Sequence, residues 1–118
     1  MLDLGEFLAE GDHPDYANAR LWFQRAADNG NTSAMVHLGV MYQWAIGVTE
    51  DAGRAGYWYN RGVQGHNAQA MYNLGGMYLD GRRMPLDVAK AKELFRGAAA
   101  LGDVNAKARL AALEHPGK

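Results

Sequence analysis

A nine-residue frame recurs at a fixed interval along this chain, and that recurrence constrains its fold more than any other feature. Ala34-Met-Val-His-Leu38-Gly39-Val-Met-Tyr42 returns 36 residues later as Ala70-Met-Tyr-Asn-Leu74-Gly75-Gly-Met-Tyr78. Ala106-Lys-Ala-Arg-Leu110-Ala111 opens a third copy at the same interval. A chain built from such copies stacks them in line, each against its neighbours, instead of folding around one globular core.

A second frame runs in the same register. Ala19, Trp22, Phe23 and Ala26 fall at i, i+3, i+4 and i+7, one face of a helix. Ala55, Trp58, Tyr59 and Gly62 repeat that face, and Ala91, Leu94, Phe95 and Ala98 repeat it again. Helix-start residues follow the same period: Asn31, Asn67 and Asp103 before the first helices, Asp15, Asp51 and Asp87 before the second. Gly30 and Gly102 stand where a helix needs a left-handed stop, with Gly65-His66 in that place between them. Caps and cores agreeing in one register predict an all-α fold, an α/α solenoid of antiparallel helix pairs wound as a right-handed superhelix.

Within that fold the chain reads as a single domain, 1–118, with repeats at about 1–30, 31–66 and 67–102 and a C-terminal helix at about 103–113. Leu4, Gly5 and Leu8 imitate Leu38, Gly39 and Tyr42, so the first repeat is entered partway through its first helix. Its turn, Gly11 to Asp15, is two residues shorter than the turns ending at Asp51 and Asp87, a deletion that loops tolerate at little cost. The helix from Asp15 is expected over Tyr16 to Asp28, and the one from Asn31 over a stretch ending near Ala45. Gly39 and Gly75 each sacrifice about 1 kcal/mol of helix propensity relative to alanine. That loss is expected where a neighbouring backbone comes close, and Ala19, Ala55 and Ala91 are small for the same reason.

Composition narrows the function classes. A net charge of -1 and a pI near 6.4 give no electrostatic reason to expect nucleic acid or an anionic membrane. The absence of cysteine removes disulfides and thiolate metal sites. No cofactor, metal or catalytic residue is expected. Ser33 is the one serine, at a helix start where a small polar residue is ordinary, and His13, His37, His66 and His115 lack the spacing of a zinc site. The uncharged run from Asn29 to Thr49 is interrupted by polar residues and reads as a buried helix with its caps, not a membrane span. The chain shows neither a signal peptide nor a membrane segment, which fits the cytoplasm, or the periplasm if a leader has been trimmed.

The combined frame is Ala-x-x-x-Leu-Gly-x-x-Tyr, a glycine-containing turn, Asp-x-x-(Lys/Arg)-Ala and an aromatic pair before Ala-Ala and Gly. It resembles the Sel-1-like repeat, a longer relative of the tetratricopeptide repeat. Ala34, Leu38, Gly39, Tyr42, Gly47, Asp51, Arg54, Ala55, Trp58 and Tyr59 carry the likeness in one copy. Ala70, Leu74, Gly75, Tyr78, Gly81, Asp87, Lys90, Ala91, Phe95, Ala98, Ala99 and Gly102 carry it in the next. His66 in the place of a stop glycine, Arg83 in the place of Gly47, and Leu94 in the place of a tryptophan depart from it.

The resemblance implies a protein-interaction scaffold or adaptor that holds a peptide or protein partner. In such solenoids the first helices line a concave groove. Val36, Val40, Gln43 and Trp44 would face it in the second repeat, with Ser33 at the edge. Gln69, Tyr72, Gly76, Leu79 and Asp80 would face it in the third, and Glu6, Ala9 and Glu10 in the first. Trp44 stands out because Asp80 occupies its place in the next repeat, so stacking does not demand an indole there. It either anchors a partner or packs on the turn at Ile46–Val48. Met35, Met41, Met71 and Met77 recur at 36 and read as packing. The resemblance also admits narrower roles, a bacterial regulator or a toxin-immunity protein. Its rivals are a hydrolase of cell-wall or antibiotic type, which would need Ser33 polarised by a histidine, and a self-assembling module stacking end to end through an uncapped apolar terminus. On this reading the chain is a monomer or a weak end-to-end associate.

Overall fold

A computed structural model describes residues 15–81 and 84–114. The expectations for Leu4 to Pro14, including Glu6, Ala9, Glu10 and His13, lie outside those residues, as do Arg82-Arg83 and His115 to Gly117. Among the described residues there are six helices and no strand: α1 Tyr16–Asp28, α2 Thr32–Gln43, α3 Ala52–Gln64, α4 Ala68–Asp80, α5 Val88–Ala100 and α6 Val104–Glu114.

Local chemistry sets every helix start. The side chains of Asp15, Asn31, Asp51, Asn67, Asp87 and Asp103 each accept a hydrogen bond from the backbone N–H three residues on, at 2.9 to 3.0 Å. Each such cap contributes about 1 kcal/mol by pairing a donor that the helix itself leaves unbonded.

The helix ends reuse the same residues. Gly30, at φ +90°, donates to the Ala27 carbonyl at 2.9 Å, and Asn31 donates to Ala26 at 2.9 Å. Gly102, at φ +98°, donates to Ala99 at 2.9 Å, and Asp103 donates to Ala98 at 3.1 Å. Asn31 and Asp103 therefore close one helix with their backbone and open the next with their side chain. One residue with two duties holds the interval rigid. His66 takes the same left-handed place at φ +61° and donates to Val63 at 2.9 Å. Here a residue with a Cβ sits in a conformation that suits glycine.

α2 stops at Gln43, short of the expected Ala45. Ala45 turns left-handed at φ +55°, and the Ile46 N–H reaches back to the Met41 carbonyl at 2.9 Å. That closure ends the helix before a further turn can form. The long turns that follow α2 and α4 close alike, with Asp51 donating to Tyr42 at 3.0 Å and Asp87 to Tyr78 at 3.1 Å.

The chain divides into two compact units, 1–62 and 63–118. In the first, α1 packs on α2, and the core holds Phe23, Leu38, Met35, Met41, Tyr42, Trp58 and Tyr59. In the second, α5 packs on both α4 and α6, around Met71, Leu74, Met77, Leu94 and Phe95. Phe23, Tyr59 and Phe95, equivalent in the repeat, are all buried, each worth roughly 1.5–3 kcal/mol. Trp22 is only half-buried; its ring lies under the Arg25 guanidinium, 5.6 Å away, instead of inside the core.

The frame glycines prove to face rings, not backbones. A Cβ built on Gly39 would collide with the Tyr59 ring, at 2.5 Å from Cδ1. One built on Gly75 would lie 3.0 Å from Cε1 of Phe95 and 3.2 Å from Cζ. Each first helix is notched so that the aromatic of its own repeat can seat.

Gly39→Ala is expected to destabilise the fold by about 1–3 kcal/mol, because the ring cannot retreat from a full core. Gly76→Ala is the control: its Cβ would meet only Arg109 Nη1 at 3.9 Å, so it gains helix propensity and stabilises by up to about 1 kcal/mol. Urea unfolding of both variants reads the contrast. His66→Gly relieves a left-handed backbone at some cost in unfolded-state entropy, for a net gain of about 0.5–1 kcal/mol in the same measurement.

Candidate functional site

The residues expected to meet a partner fall into two sets, one in each unit. In the first unit, α2 and its cap carry them. Val36 keeps only 7% of its surface exposed, since α2 turns that side chain inward with Met35 and Leu38, so it belongs to the packing and not to an open surface. Val40 is half-buried. Gln43, also half-buried, accepts a 2.7 Å hydrogen bond at Oε1 from the hydroxyl of Tyr59. Trp44 lies beyond the last residue of α2, its backbone N–H bonded to the Val40 carbonyl at 3.0 Å. It remains 66% exposed, against 7% for Trp58. Ser33 is exposed in the first turn, and His37, the histidine closest to it in sequence, is stacked on Phe23 at 4.6 Å and 13°.

In the second unit the set lies on α4. Gln69 and Asp80 are exposed, while Tyr72, Gly76 and Leu79 are half-buried. The Tyr72 ring leans on Phe95 with centroids 5.6 Å apart. Arg109 of α6 covers both rings, its guanidinium 5.6 Å from Tyr72 and 5.4 Å from Phe95, and Nη1 donates to the Tyr72 hydroxyl at 3.5 Å.

Two roles here escaped the sequence reading. Gln43 is tied to the core through Tyr59. The signal was present, because one repeat pairs Gln43 with Tyr59 while the next pairs Leu79 with Phe95. A buried hydroxyl wants an acceptor and a phenyl ring does not. Arg109 is the second such residue. It holds the repeat position of His37, and both residues lie over the buried aromatic fourteen positions earlier.

Among the described residues no group of three or more His, Asp or Glu side chains is placed to hold a metal ion. No helix among them is long and apolar enough to cross a membrane.

Helix pairs capped and notched at a 36-residue interval define an all-α helical-repeat solenoid. The family model described as the Sel1 repeat matches residues 1–31, 32–65 and 68–103, and the chain belongs to that family. The solved structure of a Sel1 repeat protein from Oxalobacter formigenes is similar over 99% of this chain and 47% of its own, at 26% identity and a TM-score of 0.89. A second structure, c5321, is a protective antigen present in uropathogenic Escherichia coli strains with an SLR fold. It is similar over 95% of this chain and 25% of its own, at 25% identity and a TM-score of 0.88. The chain thus spans about half of the first and a quarter of the second. A search of curated proteins found no match. Repeats of this family generally mediate protein–protein interactions.

The Gln43–Tyr59 bond predicts coupled mutations. Gln43→Leu is expected to cost about 1 kcal/mol, and Tyr59→Phe a similar amount. The double variant, which imports the Leu79–Phe95 pairing, is expected to cost less than their sum by about 0.5–1.5 kcal/mol in a denaturation cycle.

Proposed function

We propose that this chain is a protein-interaction module that binds a peptide or protein partner through exposed and half-buried side chains on its first helices and at their ends. In the unit 1–62 the contact is centred on Trp44, flanked by Val40 and Gln43. In the unit 63–118 it is carried by Gln69, Tyr72, Leu79 and Asp80.

The exposure of Trp44 is the observation that supports this reading. An indole two-thirds open to water contributes little to the fold, and aromatic side chains that bury on association dominate interface energetics. Trp22 and Trp58 each lie under an arginine three residues on, Arg25 and Arg61. Among the described residues no arginine lies over the Trp44 ring. A bacterial regulator and a toxin-immunity protein would both use this surface, on different partners.

Trp44→Ala is expected to leave helical circular dichroism intact and stability within about 0.5 kcal/mol of the parent. It is expected to reduce capture of the partner in a pull-down from the source organism at least tenfold. Loss of stability by several kcal/mol would place Trp44 in the fold, and undiminished capture would remove it from the contact.

A further inference from the structure

Arg109 is exposed on α6, and its guanidinium is laid against side chains of two other helices. Two aromatic rings form its floor, Tyr72 and Phe95, and the Tyr72 hydroxyl accepts from Nη1. Gly76 lies alongside without a side chain; a Cβ there would come into ordinary van der Waals contact with Nη1, at 3.9 Å.

Arg109 has no carboxylate partner among the described residues, where Arg54 pairs with Asp51 and Arg96 with Glu114. α4, which faces it through Tyr72, carries no charged residue before Asp80 at its end. A flat cation thus lies against two aromatic rings, and among the described residues its N–H groups meet only the Tyr72 hydroxyl. Ordering a flexible arginine is a main cost of an exposed ion pair, and here contact with the two rings offsets part of it. Arginine's fork matches the two oxygens of a carboxylate.

We infer that Arg109 and Tyr72 form a carboxylate-reading site in the unit 63–118, with Arg109 pairing an Asp or Glu side chain, or a chain terminus, of a bound peptide. This rests on the proposed protein-binding role and adds the chemistry of the partner. His37, two repeats earlier in the same position, stacks on Phe23 as a ring, so both residues cover a buried aromatic and the guanidinium edge is what Arg109 adds.

The test is selection from random 12-residue peptide libraries on the full chain. One arm displays peptides internally, so that only side-chain acids are offered; the other displays them with free C-termini. Arg109→Met, which keeps apolar cover over Phe95 and removes the donors, is selected in parallel after circular dichroism shows the parent fold. The expected result is acidic enrichment, or retention only in the free-terminus arm, on the parent and its loss on Arg109→Met. Synthetic winners are then expected to weaken about tenfold when Glu is replaced by Gln or the terminus is amidated, the arm identifying which carboxylate is read. Enriched peptides without a carboxylate preference, or a preference that survives in Arg109→Met, would overturn this inference and leave the binding role standing. Enrichment of nothing in either arm would count against both. Should Arg109→Met unfold, Arg109→Lys keeps the charge without the fork, and an unchanged preference there would overturn the two-oxygen geometry.

Discussion

Everything in this fold depends on an aromatic ring seated against a helix that has no side chain at the point of contact. Tyr59 presses on Gly39 and Phe95 on Gly75, and the space a Cβ would need is already taken. The frame leucine, the small alanines and the helix caps all serve to bring ring and notch together. A large ring supplies burial that a short helix pair otherwise lacks, and the notch lets it supply that burial without spreading the helices apart. The glycine's weak propensity is the smaller term, since about 1 kcal/mol is set against a buried aromatic worth roughly twice that.

The interval between copies is held by a second device, less costly and entirely local. Asn31 and Asp103 end one helix with a backbone N–H and begin the next with a side-chain oxygen. Because the stop and the start share a residue, the short turn cannot change length without losing both. His66 shows the limit of this constraint. A left-handed backbone is retained there even without a glycine, with the His66 N–H bonded to the Val63 carbonyl as in the other stops.

The surface was less legible than the scaffold. The six caps and the end of α1 could be placed from sequence because they depend on bonds between residues three to five apart. α2 ends two residues before the point its sequence predicts, since Ala45 turns left-handed where nothing in its side chain asks for it. Among the candidate contact residues, Val36 turned inward and Gln43 proved to be bonded to Tyr59. The role of Arg109 is not legible in the sequence because its partners Tyr72 and Phe95 lie on two other helices. A spacing of 37 residues between Arg109 and Tyr72 has no meaning in a single helix; it acquires one only when α6 packs beside α5.

The sequence by itself determined the period, the helix starts and the family of this protein, because each is written in short-range hydrogen bonds and in letters that recur. Which of the non-recurring letters face water was decided only by tertiary structure. Burial depends on how far one helix is rotated against the next, and that rotation is set by rings and notches meeting across helices. Trp44 stays open and Val36 does not, although both stand on or beside the same helix. The difference is one of packing, and no spacing in the chain records it.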